Sequence, residues 1–352
     1  MNICFVLPQI AKEPVGGYKV VFEYANRLIK DGFKVSIVFL NQDAFSSRKI
    51  PKFVKKMLIN YRTIRQPKWF NLDKRIKKIS ITNISKLKKF KNTQIAIATD
   101  STTVYATKKL FPNAKKIYFI QGFEIWNMSK ERLFDTYNQG FKKIVISRWL
   151  KKIVDKNSNE KSIYIQNAID TQKYQVINPI NKRNKYVIGM LFHTSEVKGT
   201  KYTLAAIKQL HEKKFPELKL IMFGVSDRPK NLPSWVTYYQ NASQATTVSI
   251  YNKISLFAVG SVNEGFGLTG LEAMACGAAL VSSDFPAVHE YAIDGQNAML
   301  SPTKNVEKMK KNIEFLIEND NYRKMLAQNG ANAAKQFSWE IAYKKFKNTI
   351  VK

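Results

Sequence analysis

Apolar and polar positions fall into two alternating kinds of segment. Asn2–Pro8 and Lys34–Leu40 are apolar runs of strand length, and between them Lys19–Lys30 sets Val20, Val21, Tyr24, Ala25 and Leu28 at helical spacing. Val15-Gly16-Gly17 reads as a flexible turn before that helix, and Asp31-Gly32 as its stop. This βαβ pattern predicts a parallel sheet covered by helices. Further strands are predicted at Gln94–Ala98, Lys116–Ile120, Lys143–Ile146 and Ser162–Ile165. The second half repeats the rhythm, with strands at Tyr186–Phe192, Leu218–Phe223, Ile254–Val259 and Ala278–Ser282 and helices at Thr200–Lys213, Thr246–Asn252 and Leu268–Cys276.

Between the halves, residues 171–185 are polar, contain Pro179 and lack periodicity, as a linker does. The expected fold class is α/β, with Rossmann-like doubly wound domains over residues 1–170 and 186–335 facing an interdomain cleft. A C-terminal helix over 336–352 is expected to pack back on the first domain. A chain of 352 residues favours two cores over one. Open α/β sheets bind ligands beyond the carboxyl ends of their strands, so the chemistry is sought there.

Charge changes the picture more than composition does. A 45% hydrophobic content suits packed interiors, and no apolar run approaches the roughly 18 residues of a spanning helix. The opening run lacks a basic leader and a small-residue cleavage site, so it is expected to be a core strand rather than a signal peptide. Cys4 and Cys276 sit in apolar surroundings, as free thiols in the cytoplasm would. Against 26 acidic residues stand 58 Lys and Arg. The stretch Arg48–Lys91 holds sixteen basic residues and one acid, Asp73. Such a field must face lipid headgroups, nucleic acid or phosphorylated substrates. Within a basic insert at about 48–92, Ile50, Phe53, Val54, Met57, Leu58 and Tyr61 share one helical face, while Lys52, Lys55, Lys56 and Arg62 lie mostly elsewhere, and Trp69 and Phe70 follow. This pattern fits an interfacial helix on an anionic membrane, or a core-packing helix with a solvated basic face. No helix-turn-helix, zinc-finger or RNA-binding motif supports a nucleic-acid partner.

The densest candidate chemistry is the run from Val262 to Gly277, which follows a predicted strand and opens a helix. Its glycines allow close backbone approach, and exposed amides at the helix start favour an anion such as a diphosphate. Glu264 and Glu272, eight residues apart, can each accept hydrogen bonds from paired hydroxyls of a sugar or ribose. Gly265 to Gly270 also match the G-x-G-x-x-G dinucleotide fingerprint, with Asp284 downstream, so an NAD(P)-dependent oxidoreductase is the enzyme alternative. In that fingerprint the first glycine almost abuts the strand; here it comes six residues later.

The run Glu264-Gly265-Phe266-Gly267-Leu268 with Glu272-Ala273-Met274-Ala275-Cys276-Gly277, then Asp284, Val288-His289-Glu290, Asp294-Gly295 and Asn297, resembles the group 1 (family 4) glycosyltransferases. These have the GT-B fold and a paired-glutamate motif of this spacing. The resemblance covers nearly all of residues 186–340 and extends more weakly to the first half. It implies that Glu264 binds the transferred sugar, Gly265, Phe266, Gly267 and Leu268 the sugar or distal phosphate, and Glu272 the ribose. Lys198 matches the family's cation on the donor diphosphate, while His193 stands where arginine is usual. Gly16 and Gly17 resemble the glycine turn near donor and acceptor. Gln121, in Phe119-Ile-Gln121-Gly-Phe-Glu124, stands near the place of a His-Gly pair and resembles rhamnosyltransferase-like members, which implies a UDP- or dTDP-sugar, dTDP-rhamnose among them. Gln121 and Asp100 are the implied acceptor contacts. Glu264, Lys198, Asp100 and Glu124 are the catalytic candidates, the last two as bases if the reaction inverts. The resemblance implies a saccharide acceptor, lipid-linked, in cell-surface polysaccharide synthesis, with the enzyme peripheral on the inner face of the plasma membrane. The nucleotide sugar enters as a substrate, so no cofactor is expected. No Asp-x-Asp motif or metal-ligand cluster appears, which predicts metal independence.

Overall fold

The computed structural model describes residues 1–41, 51–81, 90 and 92–352. Ile50 and the basic residues Arg48, Lys49, Lys86, Lys88, Lys89 and Lys91 of the predicted insert lie outside the described residues. The chain divides into two compact units, Met1–Gln166 with Ala342–Lys352, and Asn167–Ile341.

The first unit holds strands β1 (Asn2–Leu7), β2 (Lys34–Phe39), β3 (Lys77–Ser80), β4 (Ile95–Ala98), β5 (Lys115–Ile120), β6 (Lys142–Val145) and β7 (Ile163–Tyr164). They form one sheet in the order β3-β2-β1-β4-β5-β6-β7. Each pair of neighbouring strands is parallel; Cys4 of β1, for example, stands between Ser36 of β2 and Ala96 of β4. Helix α1 spans Gly16–Lys30 and buries Val20, Val21, Tyr24, Ala25 and Leu28, the face its spacing predicts. It starts at Gly16, so the Gly-Gly pair is its first turn rather than a turn before it. Helices α2 (Lys52–Arg65), α3 (Val104–Leu110), α4 (Lys130–Tyr137) and α5 (Arg148–Lys156) complete the covering. At the chain's end Phe346 stacks on Tyr24, with ring centroids 3.9 Å apart, and Tyr343 and Lys347 hydrogen-bond to Asp31.

The second unit has β8 (Val187–Leu191), β9 (Lys219–Gly224), β10 (Val236–Gln240), β11 (Leu256–Val259), β12 (Ala279–Ser283) and β13 (Ala298–Ser301), in the order β10-β9-β8-β11-β12-β13. Numbered within the unit this is 3-2-1-4-5-6, the Rossmann order, whose direction reverses between β8 and β11. Its helices are α6 (Thr200–Lys213), α7 (Gln244–Lys253), α8 (Leu268–Ala275), α9 (Val306–Glu318) and α10 (Asp320–Ala334); α11 (Trp339–Val351) closes the chain. Ile188, Met190, Leu220, Met222, Leu256 and Val281 of the strands pack against Ile207, Leu210, Ile313 and Leu316 of the helices. Parallel strands covered on both faces need such continuous apolar runs.

The stretch 171–185, expected as a linker, is held within the second unit. The Arg183 guanidinium is buried and donates to the carbonyls of Asn178, Tyr251, Ile254 and Cys276, the last at 2.6 Å. A buried cation with that many carbonyl partners fixes the segment, although its sequence is polar and aperiodic. Both cysteines are free and buried, which pushes each thiol up to about 12 and leaves neither as a nucleophile at neutral pH.

Candidate active site

In the second unit the loops leaving β8 and β11 meet where the strand order reverses. The Val262 amide donates to the Val197 carbonyl at 2.8 Å, tying one loop to the other. They approach so closely that a Cβ on Gly199, whose φ is +59°, would lie 1.8 Å from the Gly260 carbonyl oxygen. Only glycine fits there. The approach sets Lys198 against Glu264: Nζ donates to the two carboxylate oxygens at 2.8 and 2.7 Å, and the Ser261 hydroxyl donates to Oε1 at 2.8 Å. The Glu264 side chain keeps 14% of its exposure and that of Lys198 32%, so the pair is partly screened yet open to a ligand.

Helix α8 starts immediately beyond Glu264. Its cap, Gly267, has φ +88°, and a Cβ there would meet the Tyr291 hydroxyl at 2.7 Å and the Phe285 ring at 2.8 Å. The Tyr291 hydroxyl donates to the Gly267 carbonyl at 2.8 Å, and Phe266 is buried against the Tyr291 and Phe337 rings. The first amides of a helix have no partner within it and carry its positive end, so this fixed turn presents donors to an anion beside Lys198.

Glu272, one further turn along α8, is 6% exposed. It accepts from the buried Tyr251 hydroxyl at 3.4 Å and is also hydrogen-bonded with Tyr174. His193 closes the turn after β8: its amide donates to the Thr200 hydroxyl at 3.0 Å, and that hydroxyl donates back to the His193 carbonyl at 2.9 Å. The Ser195 amide donates to His193 Nδ1 at 2.9 Å, so in the neutral ring the hydrogen sits on Nε2. Burial, then the Lys198 charge, lowers the imidazole's pKa against the weaker pull of Glu264, and a neutral donor results.

The remaining candidates stand at the carboxyl edge of the first unit's sheet. A Cβ on Gly17 would touch the Gln121 amide nitrogen at 3.3 Å, and Gln121 Oε1 is buried with no hydrogen-bond partner. Asp100 caps the short turn Ser101–Thr103, accepting from the Thr102 amide at 2.8 Å and the Thr102 hydroxyl at 2.6 Å. Glu124, 5% exposed, turns inward and accepts from the Ser101 amide at 2.6 Å. Burial, with the nearby Asp100 charge, pushes the Glu124 carboxyl up to about 8, so it holds its proton at neutral pH. Among the described residues no cluster of three His, Cys, Asp or Glu side chains could hold a metal ion.

Residues 170–333 match the family model described as glycosyl transferases group 1, over the same loops that join Lys198 to Glu264. This part of the chain belongs to that family. The group 1 glycosyltransferase unit has curated relatives of similar sequence. An uncharacterized glycosyltransferase of Methanocaldococcus jannaschii is 30% identical over 220 residues, 61% of this chain and 61% of that protein. The N,N'-diacetylbacillosaminyl-diphospho-undecaprenol alpha-1,3-N-acetylgalactosaminyltransferase of Campylobacter jejuni is 31% identical over 115 residues, 33% of this chain and 30% of its own. The chain thus matches about three fifths of the length of the archaeal relative. The solved structure of Anabaena HepE in complex with UDP-glucose superposes with a TM-score of 0.77 at 15% identity, covering 100% of this chain and 99% of that one. That likeness shows the fold: two Rossmann-like units, the GT-B type.

Several partners in the group 1 unit carry no mark in the sequence. Ser261, Tyr291, Tyr251 and Tyr174 act through hydroxyls that reach residues 3, 24, 21 and 98 positions away in the chain, and no local periodicity encodes such pairings. The Lys198-Gly199 step was the one available clue to the close approach of the two loops.

Proposed function

We propose that the protein transfers a sugar from a UDP- or dTDP-activated donor to a saccharide acceptor, lipid-linked, in cell-surface polysaccharide synthesis. The observation that carries the reading is the Lys198–Glu264 pair at the amino end of α8, at the switch point of a Rossmann sheet. Glycosyl transfer builds positive charge on the sugar and negative charge on the departing diphosphate. Paired as they are, Lys198 and Glu264 neutralise one another. A bound diphosphate offers Lys198 a stronger anion, which it meets together with the α8 amides, and frees the Glu264 carboxylate for the sugar. His193, neutral and donating from Nε2, adds a hydrogen bond without charge. The reading uses no metal, and enzyme treated with EDTA is expected to keep its rate. HepE, crystallised with UDP-glucose, supports a nucleotide-sugar donor, and the Campylobacter jejuni relative, named for a diphospho-undecaprenol substrate, supports a lipid-linked acceptor.

The membrane part of the proposal is supported by α2. Phe53, Met57, Tyr61 and Ile64 form one exposed stripe, 68% and 76% exposed at Phe53 and Ile64, on a helix that also carries Lys55, Lys56, Arg62 and Arg65. Buried Ile59 and Thr63 hold its opposite side. An apolar stripe among cations fits an anionic lipid surface, at about 1 kcal/mol for each basic residue near it. No helix among the described residues is long and apolar enough to cross a membrane.

A screen of UDP- and dTDP-sugars, dTDP-rhamnose included, with nucleotide release as the readout, tests the transferase. Release from one or more donors is expected; thermal stabilisation by NAD(P) and by none of the sugar nucleotides would overturn it. Flotation with phosphatidylserine-containing vesicles at physiological salt tests the membrane part, and an unbound protein refutes it.

A further inference from the structure

We propose that Trp126, with the Asp100–Asn127 pair beside it, is the platform on which the acceptor's sugar ring stacks; this rests on the transferase reading above. The loop after β5 turns one acid inward and two large apolar residues outward. Glu124 is anchored on the Ser101 amide, and hydrogen bonds from the Ile125 amide to the Phe123 carbonyl (2.9 Å) and from the Asn127 amide to the Glu124 carbonyl (3.1 Å) set the arch. Trp126 is left 65% exposed and Ile125 43%. The indole lies over Gly122, where a Cβ would come within 3.2 Å of its Cη2, so the ring rests on bare backbone.

The other four tryptophans are engaged within the fold. Trp69 donates to the Ala11 carbonyl, Trp149 packs edge-on to Phe123, Trp235 stacks on His211, and Trp339 is buried. Trp126 alone of the five is exposed, and the next residue in the chain, Asn127, is polar. Asn127 Nδ2 donates to the Asp100 carboxylate at 3.3 and 3.4 Å, long bonds that a competing hydroxyl can replace. At the start of the same loop, Gln121 Oε1 is buried without a donor, facing Gly17.

An indole face and a carboxylate–amide pair match the two sides of a pyranose. Its C–H face packs on the electron-rich ring, and its hydroxyls donate to Asp100 while accepting from Asn127. A purely apolar partner would cover Asp100 and Asn127 without hydrogen-bonding to either.

The test uses the full chain labelled with 5-fluorotryptophan, the Trp126 resonance being assigned from Trp126→Phe, and titrated with p-nitrophenyl glycosides of glucose, galactose, mannose, rhamnose and N-acetylglucosamine. At least one glycoside is expected to shift that resonance saturably. Where the wild type transfers to it, Trp126→Ala should raise the acceptor KM about tenfold and Trp126→Phe should recover most of the loss. Calorimetric UDP affinity close to wild type would verify the variant's fold. A resonance that no glycoside moves, or an unchanged acceptor KM in Trp126→Ala, overturns the platform. Wild-type protein that releases nucleotide from no donor, yet shows the saturable shift, would overturn the transferase reading and leave the sugar site standing.

Discussion

In the second unit the strands flanking the switch point each deliver a charge, Lys198 after β8 and Glu264 after β11, and the Val262–Val197 hydrogen bond clamps their loops together. The first unit shares the order of its six leading strands, but its carboxyl edge is built otherwise. There Gly16 and Gly17 open α1, Asp100 caps its own turn, Glu124 is buried and protonated, and Trp126 faces out. One scaffold thus supports a charge-paired edge suited to a diphosphate and an aromatic edge suited to a polyol. What separates them is the loops, because strand order fixes where a ligand binds and loop side chains fix which ligand.

The sharpest way to break this comparison is to neutralise one acid at each edge. Glu264→Gln is expected to lower nucleotide release by about a hundredfold or more in steady-state assays, the scale of losing one electrostatic contact to the transition state. Asp100→Asn, which alters a local cap and one contact to the acceptor, is expected to cost less, about tenfold at subsaturating acceptor. Equal losses in both would end the distinction. Next in size is the backbone approach that creates the charged edge. Gly199→Ala forces a side chain at φ +59° into the Gly260 carbonyl, and about 2–4 kcal/mol of stability should be lost in urea titration. An unaffected midpoint would mean that the two loops do not need to touch.

The smallest effect concerns the aromatic edge. Glu124 ionises at about 8 in the folded protein, against an ordinary value of 4.5. Between those values the native state binds more protons than the unfolded one, so stability falls as pH rises and levels off above about 8. From pH 7 to 9 about one pH unit of this linkage remains, roughly 1.4 kcal/mol or a few degrees in Tm. Glu124→Gln should flatten the slope measured by differential scanning calorimetry. An identical slope in the variant would place the titration elsewhere.

Much of the framework was legible along the chain. The central strands and α1, α6 and α8 appear near where periodicity puts them, because fully covered parallel strands need unbroken apolar runs and their helices need a 3.6-residue face. The strands left unread are β3, β10 and β13, at or near sheet edges. β3 reads Lys-Lys-Ile-Ser, and in Val236–Gln240 only Val236 and Tyr238 are buried, so half-covered strands carry no such run.

Lys198, Glu264 and the α8 start could be named from the sequence because loop glycines and a charge beyond a strand are local patterns. Their meeting could not, since it needs sheet order to bring residues 66 positions apart into register and two glycines to let the loops touch. The same holds for Asp100 and Glu124, whose roles follow from burial and from the amides within reach. Local spacing determines which elements form and which residues are available. Hydrogen-bond partners, desolvation and exposure exist only once distant segments pack, and they set which of those residues is charged, capped or open to a ligand.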